Sequence, residues 1–268
     1  MYVYMMQPEG YNDGTAQLCH LIKTIYGLKQ SGHEWNYKLN KKLIDAGFQW
    51  LHSDPCIYIQ KGKGKVIEII TAWVDDLLLF SDVKEWMDHL KAELGNLFEI
   101  TNLSEPSKLV SIEITQHREQ GTLTIAQTRY IESILERYGM QDANQVSTLL
   151  NKNIKLQSQA EDNTVANRSN RYVLLMGLLM YAAIGTHPNI TYAVNKLCSF
   201  TSNPDPEHWT AAKRILRYLK GTKDLGITYT KGNLNKEFHG YTDTSLRNNY
   251  DMMATSGNMF LLHNRATT

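Results

Sequence analysis

Two apolar runs meet in residues 66–80, VIEIITAWVDDLLLF, and between them stand two adjacent aspartates, Asp75 and Asp76, with no glycine or proline to relax the connection. Short runs of this kind pair as an antiparallel hairpin. Neighbouring residues on extended backbone point to opposite faces, so each carboxylate would sit at the rim of a buried hairpin. Like charge and desolvation are costly there unless a cation compensates. A divalent metal is the natural compensation: Mg2+ prefers hard oxygen ligands, usually one or two carboxylates plus substrate phosphates, which suits phosphoryl transfer. A solvated hairpin turn accounts for the same pair, because aspartate is common in turns and two carboxylates are not a complete metal site.

Around this hairpin the chain alternates helices and strands, so the class is α+β. Helix punctuation marks SGHEWNYKLNKKLIDAG, with Ser31 and Glu34 as a capping box and Gly47 past the end, and residues 82–94 before Gly95. It also marks 128–138 before Gly139, and PDPEHWTAAKRILRYLKG, capped by Asp205 with Pro206 in the first turn and closed at Gly221. Strand-like runs are 56–60, 66–73, 77–80, 110–115 and 122–126, and after Gly221 come LGITYT, EFHGYTD and GNMFLLH. Residues 148–170 turn polar and read as a linker. At 268 residues, 42% hydrophobic and 21% charged, the chain has enough material for two cores and is neither disordered nor collagen-like.

Cys19, Cys56 and Cys198 are odd in number and form no CxxC, which encodes neither a disulfide framework nor a zinc site and fits a reducing, intracellular setting. The N-terminal MYVYMMQPEGYNDG has no secretory pattern. The most apolar stretch, YVLLMGLLMYAAIG, has 14 residues, against the ~20 that a bilayer requires, and reads as a buried helix. A net charge of +1 speaks against a strongly basic nucleic-acid protein, though local patches escape that sum.

WVDD between apolar strands resembles the YxDD hairpin of reverse transcriptases, and its neighbours match the copia-type retrotransposon branch in order. The matches are YMMQPEGY, LIKTIYGLKQSGHEW, GFQWLHSDPCIYI, AWVDDLLLFSD, SIEITQHREQGTLTIAQTRYIESIL and LMYAAIGTHPNITYAVNKLCSFTSNPDPEHWTAAKRILRYLKGT. The resemblance implies a partial polymerase palm and thumb over residues 1–147, a linker over 148–170, a helical connection-like region over 171–224 and a truncated ribonuclease H-like start over 225–268. It implies Asp75 and Asp76 as catalytic, metal-binding aspartates, Mg2+ as cofactor, and an RNA template, a DNA primer and dNTP as partners. Tyr26, Gly27, Lys29, Gln30 and Ser31 would line the nucleotide and template side. There Gly27 allows close approach, Lys29 offers a phosphate partner and Ser31 caps the helix below.

Trp73 stands where the family has Tyr, and Gly32 where it has Pro; neither change removes a metal ligand. The family's first palm aspartate precedes QPEG, so the resemblance implies a fragment that would not polymerise alone, with a non-catalytic nucleic-acid-binding remnant as the alternative. Asp243 would be a ribonuclease H remnant, but Ser245, Leu246, Met252 and Met253 replace the pattern that follows it.

Lys213, Arg217 and Lys220, with Arg214 alongside, form a stripe opposite Trp209 that could contact nucleic-acid phosphates or be a solvated face. Lys61, Lys63 and Lys65 read as a hairpin tip. His33, His52, His89, His117 and His187 share no metal-ligand spacing, and Trp35, Trp86 and Trp209 read as core.

Overall fold

Two apolar cores organise the computed structural model, which describes residues 3–61, 67–151, 156, 166–232, 238–245, 254–262 and 265–266. The chain divides into two compact units, Met1–Ser104 and Glu105–Thr268.

In the first unit, β1 (Tyr4–Met5) pairs with β2 (Cys19–His20), and α1 (Ser31–Asp45) follows. Strands β3 (Gln49–Trp50), β4 (Ile57–Lys61), β5 (Ile67–Trp73) and β6 (Asp76–Phe80) form an antiparallel sheet in that order, and α2 (Lys84–Leu97) completes the unit. Leu39 and Leu43 of α1 share a core with Tyr58, Ile70, Leu90 and Leu94. Gly47 ends α1 as its position in the sequence requires. At φ +92° it donates to the Ile44 carbonyl, and Phe48 donates to the Leu43 carbonyl, both at 2.9 Å. These are the paired bonds of a Schellman motif, and its apolar partners Leu43 and Phe48 are both buried.

The capping box does not form. Gln30 occupies the N-cap with helical backbone, which leaves Ser31 inside the helix, where its hydroxyl donates to the Ile25 carbonyl at 2.6 Å. Gly95 does not end α2 either, because the additional turn carries Phe98 into the core.

The second unit holds β7 (Lys108–Leu109), β8 (Ile112–His117), β9 (Thr122–Ala126), α3 (Thr128–Arg137), α4 (Ala166–Gly185), a 3-10 turn at Pro188–Ile190, α5 (Thr191–Cys198), α6 (Pro206–Thr222), β10 (Gly226–Thr230), β11 (Phe238–Ser245), β12 (Thr255–Leu262) and β13 (Arg265–Ala266). Ile131, Leu175, Leu179, Val194, Ile215 and Leu219 lie in its core. The two compact units meet at 104/105, and residues 128–137 bury their apolar face among the later helices. The segment from 225 onward is also divided, because β10 pairs with β9 along all five of its residues, from Gly226↔Ala126 to Thr230↔Thr122. Only β11, β12 and β13 form a sheet of their own.

The strand anticipated at 110–115 is interrupted. Val110 and Ser111 both have positive φ, +48° and +63°, and turn the chain between β7 and β8. The Tyr181 hydroxyl of α4 donates to the Val110 carbonyl and holds that turn. The apolar stretch in α4 is buried on one face, through Tyr172, Leu175, Met176, Leu179, Ala182 and Ala183, while Val173, Leu174 and Ile184 are exposed; no described helix is long and apolar enough to cross a membrane. All three cysteines are free thiols.

Helix α6 starts at the Asp205–Pro206 signal. Asp205 Oδ1 accepts from the backbone N–H groups of Glu207 and His208 at 2.8 and 2.9 Å, and His208 Nδ1 accepts the Asp205 N–H at 3.1 Å. A histidine thus takes the place that glutamate usually has in this reciprocal box. His208 is fully buried and stacks on Phe200 at 3.9 Å. His187 is also buried, with Nδ1 2.9 Å from the Thr186 hydroxyl and Nε2 3.2 Å from the Thr222 carbonyl. The Thr186 hydroxyl reaches Gln127 Oε1 at 3.0 Å, so a buried polar cluster joins the start of α3 to the ends of α4 and α6.

Burial holds both histidines below the ordinary value of 6.5. A group that binds its proton more readily when unfolded contributes full stability above its unfolded value and loses it as pH falls from that value to the lower folded one. The helical unit is therefore expected to weaken as pH falls below 6.5. Urea midpoints across this window should fall, and His187→Asn should flatten the decline.

Candidate active site at a strained aspartate hairpin

Strands β5 and β6 pair in register from Ile69↔Phe80 to Trp73↔Asp76, leaving Val74 and Asp75 as a two-residue loop. The anticipated hairpin forms, with Asp75 in its turn and Asp76 as the first residue of β6. Positive φ falls on Val74 alone, at +55°, the pattern of a II′ turn, in which glycine is the usual first residue. A β-branched residue in that region costs about 1–3 kcal/mol and persists only where its surroundings impose it.

The surroundings here are two aromatic side chains. Trp35 Nε1 of α1 donates to the Val74 carbonyl at 2.5 Å, and its ring packs edge-on against Phe98 with centroids 5.2 Å apart. The Tyr26 hydroxyl donates to Asp75 Oδ2 at 3.0 Å. This bond to a carboxylate holds the Tyr26 phenol above its ordinary pKa. Ser31, through the Ile25 carbonyl, fastens the segment that carries Tyr26 to the first turn of α1.

Both aspartates are exposed, so they lie in solvent rather than at a dry rim. Desolvation does not strain the pair; the strain is in the backbone beneath it. Among the described residues no group of three or more His, Cys, Asp or Glu side chains could hold a metal ion. The two carboxylates suit an ion that takes part of its coordination from water and substrate phosphates, as Mg2+ does, and do not form a closed protein cage.

The structure brings Tyr26 and Asp75 together across 49 residues of sequence. Gly27 has φ +91° and open space where a Cβ would stand. Lys29 is exposed and Gln30 half-buried, and no described hydrogen bond joins either to the aspartates. Trp35, read from sequence as core alone, is half-buried and supports the turn; helical periodicity shows which face a residue occupies but not what its indole N–H reaches.

In the second unit, Lys213 is exposed, with Nζ 5.7 Å from the Trp209 ring, on the same side as that ring rather than opposite it. Arg214, Arg217 and Lys220 are half-buried. Asp243 is exposed on β11 opposite Gly257, and Ser245 pairs with Thr255. Leu246, Met252, Met253, Lys63 and Lys65 lie outside the described residues, while Lys61 is exposed at the end of β4. His33, His52, His89 and His117 are exposed.

Residues 1–152 match the family described as reverse transcriptase (RNA-dependent DNA polymerase). The chain is 34% identical over 260 residues to the retrovirus-related Pol polyprotein from transposon TNT 1-94 of Nicotiana tabacum, covering 95% of this chain and 19% of that protein. It is 33% identical over 258 residues to the corresponding polyprotein from transposon RE2 of Arabidopsis thaliana, covering 95% and 17%. A putative transposon Ty5-1 protein of Saccharomyces cerevisiae is 27% identical over 232 residues, covering 86% and 74%. The chain thus spans less than a fifth of the length of the first two relatives. No solved structure matches it.

If Trp35 holds the strained turn, its contribution depends on the strain. Val74→Gly is expected to stabilise the first unit by about 1 kcal/mol by removing the β-branched residue from positive φ. Trp35→Phe, which keeps a ring against Phe98, is expected to cost about 1–2 kcal/mol. In a double-mutant cycle read by urea unfolding, Trp35→Phe should cost at least ~0.5 kcal/mol less beside Val74→Gly. Additive effects would show that the turn does not depend on the indole.

Proposed function

Because the chain belongs to the reverse transcriptase (RNA-dependent DNA polymerase) family, among the copia-type Pol polyproteins, we propose that Asp75 and Asp76 are the metal-holding aspartates of a template-directed nucleotidyl transfer site. The observation that carries this reading is the hairpin itself: two exposed carboxylates at a turn fixed by Trp35 and Tyr26. The β3–β6 sheet with α1 and α2 is read as palm, α4, α5 and α6 as thumb or connection, and β11 to β13 with Asp243 as a ribonuclease H-like start.

Mg2+, when bound, stabilises charge on the attacking and leaving oxygens of a phosphoryl transfer. The part this chain plays is positioning. The Tyr26 hydroxyl holds the Asp75 carboxylate in one orientation, and the Trp35 indole fixes the backbone from which both aspartates project. The segment from Tyr26 to Ser31 reaches Asp75 through the Tyr26 hydroxyl, and in this reading Gly27 leaves room for a base pair and Lys29 offers a charge to a phosphate. An RNA template, a DNA primer and dNTP are the substrates this reading implies.

Two-metal transfer needs carboxylates from more than one strand, and the described residues supply only this pair. That observation favours a second reading, binding of nucleic acid without synthesis. Mn2+ titration followed by electron paramagnetic resonance, with primer extension on a primed RNA template, separates the two. Asp75→Asn and Asp76→Asn are each expected to weaken Mn2+ binding by about tenfold. Extension that requires both aspartates supports the polymerase reading. Mn2+ binding without extension supports the binding reading, and unchanged Mn2+ affinity in both variants removes the site.

A further inference from the structure

Between α5, α6 and the segment 140–151 lies a recess of about 450 Å³. Four cationic side chains line it, Lys196 of α5 and Lys213, Arg214 and Arg217 of α6, above apolar surface from Met140 and Leu150, and no carboxylate is among its described lining residues. Three other basic residues of this unit are paired: Arg118 with Glu105 at 2.7 Å, Arg129 with Glu113 at 3.3 Å, and Lys223 with Glu132. Among the described residues, the four cations of the recess have no acidic partner within ion-pair distance.

Their geometry is prepared in advance. Arg214 donates from Nε to the Thr148 carbonyl at 3.0 Å and from Nη2 to the Thr148 hydroxyl at 2.5 Å, and Arg217 Nε donates to the Asn144 carbonyl at 2.6 Å. A guanidinium has five N–H donors. The loop therefore takes two from Arg214 and one from Arg217, orients both planes, and leaves the other donors for a ligand. Like charges gathered around one recess raise each other's energy, which a bound anion relieves.

We propose that this recess is a binding site for a phosphate group, carried either by an unpaired nucleic-acid strand or by a free nucleotide. Its volume lies within the range of small-molecule pockets, and a concave recess of this size admits a nucleotide unit but not a double helix. Lys220 lies on the same helix outside the recess, so the site is not the linear stripe that helical spacing alone describes. The inference draws on the polymerase reading only for the presence of phosphates nearby; the recess is identified by its own charges, so it survives loss of the aspartate site.

The test titrates the full chain with a fluorescein-labelled single-stranded oligonucleotide, a nucleoside triphosphate and inorganic phosphate, comparing wild type with Lys196→Gln, Lys213→Gln and Lys220→Gln. Lys196→Gln and Lys213→Gln are expected to weaken binding severalfold. Each should make the dependence of log K on log salt shallower by about 0.7 for the oligonucleotide, while Lys220→Gln stays near wild type. Melting temperatures of all three variants control for folding. Preference for the oligonucleotide identifies a strand as the source, and preference for the triphosphate identifies a nucleotide. Absence of binding to all three anions, wild-type affinity in both recess variants, or an equal loss in Lys220→Gln would overturn the proposal.

Discussion

The hydrogen bond from the Trp35 indole to the Val74 carbonyl ties α1 to the turn of the aspartate hairpin. It holds a valine at φ +55°, which in turn sets the β5–β6 register and puts Asp75 in the loop and Asp76 on the strand. The second unit repeats the arrangement. Val110, at φ +48°, begins the β7–β8 turn, and the Tyr181 hydroxyl donates to its carbonyl. In both turns an aromatic donor from a helix binds the carbonyl of the residue whose conformation is least favourable. The helix thereby imposes on the strand a geometry that glycine or asparagine would adopt unaided.

The elements that could be read directly from the sequence are those with local causes. Gly47 and Gly139 follow helices because only a residue at ease with positive φ can close a Schellman motif, and both have it, at +92° and +64°. Asp205 and Pro206 mark α6 because capping is a contact between near neighbours in sequence. The aspartate hairpin was visible because two apolar runs with charges between them have few alternatives.

The features that sequence did not reveal depend on partners far along the chain. Gly95 has the spelling of a helix end, but the core takes up Phe98 and the helix continues. Ser31 has the spelling of a cap, but the Ile25 carbonyl claims its hydroxyl. Arg214 and Arg217 belong to a helical stripe by spacing, yet Thr148 and Asn144 draw their guanidiniums toward a loop and convert a convex face into a recess. A net charge of +1 conceals this arrangement, because it sums charges without locating them.

The pairing of β9 with β10 has a consequence for synthesis. Thr124 and Thr228, which face each other across that pair, are 104 residues apart, whereas every described strand of the first unit pairs with a strand next to it in sequence. At ribosomal rates of roughly 5–20 residues per second, β9 emerges on the order of 5–20 s before its partner exists. Throughout that interval one side of β9 has backbone donors and acceptors with no strand to meet them, open to any extended segment nearby. The first unit can mature as the chain grows, while the second can close its sheet only after Thr230 has been made, so its window for mispairing is set by translation speed rather than by the stability of the finished fold.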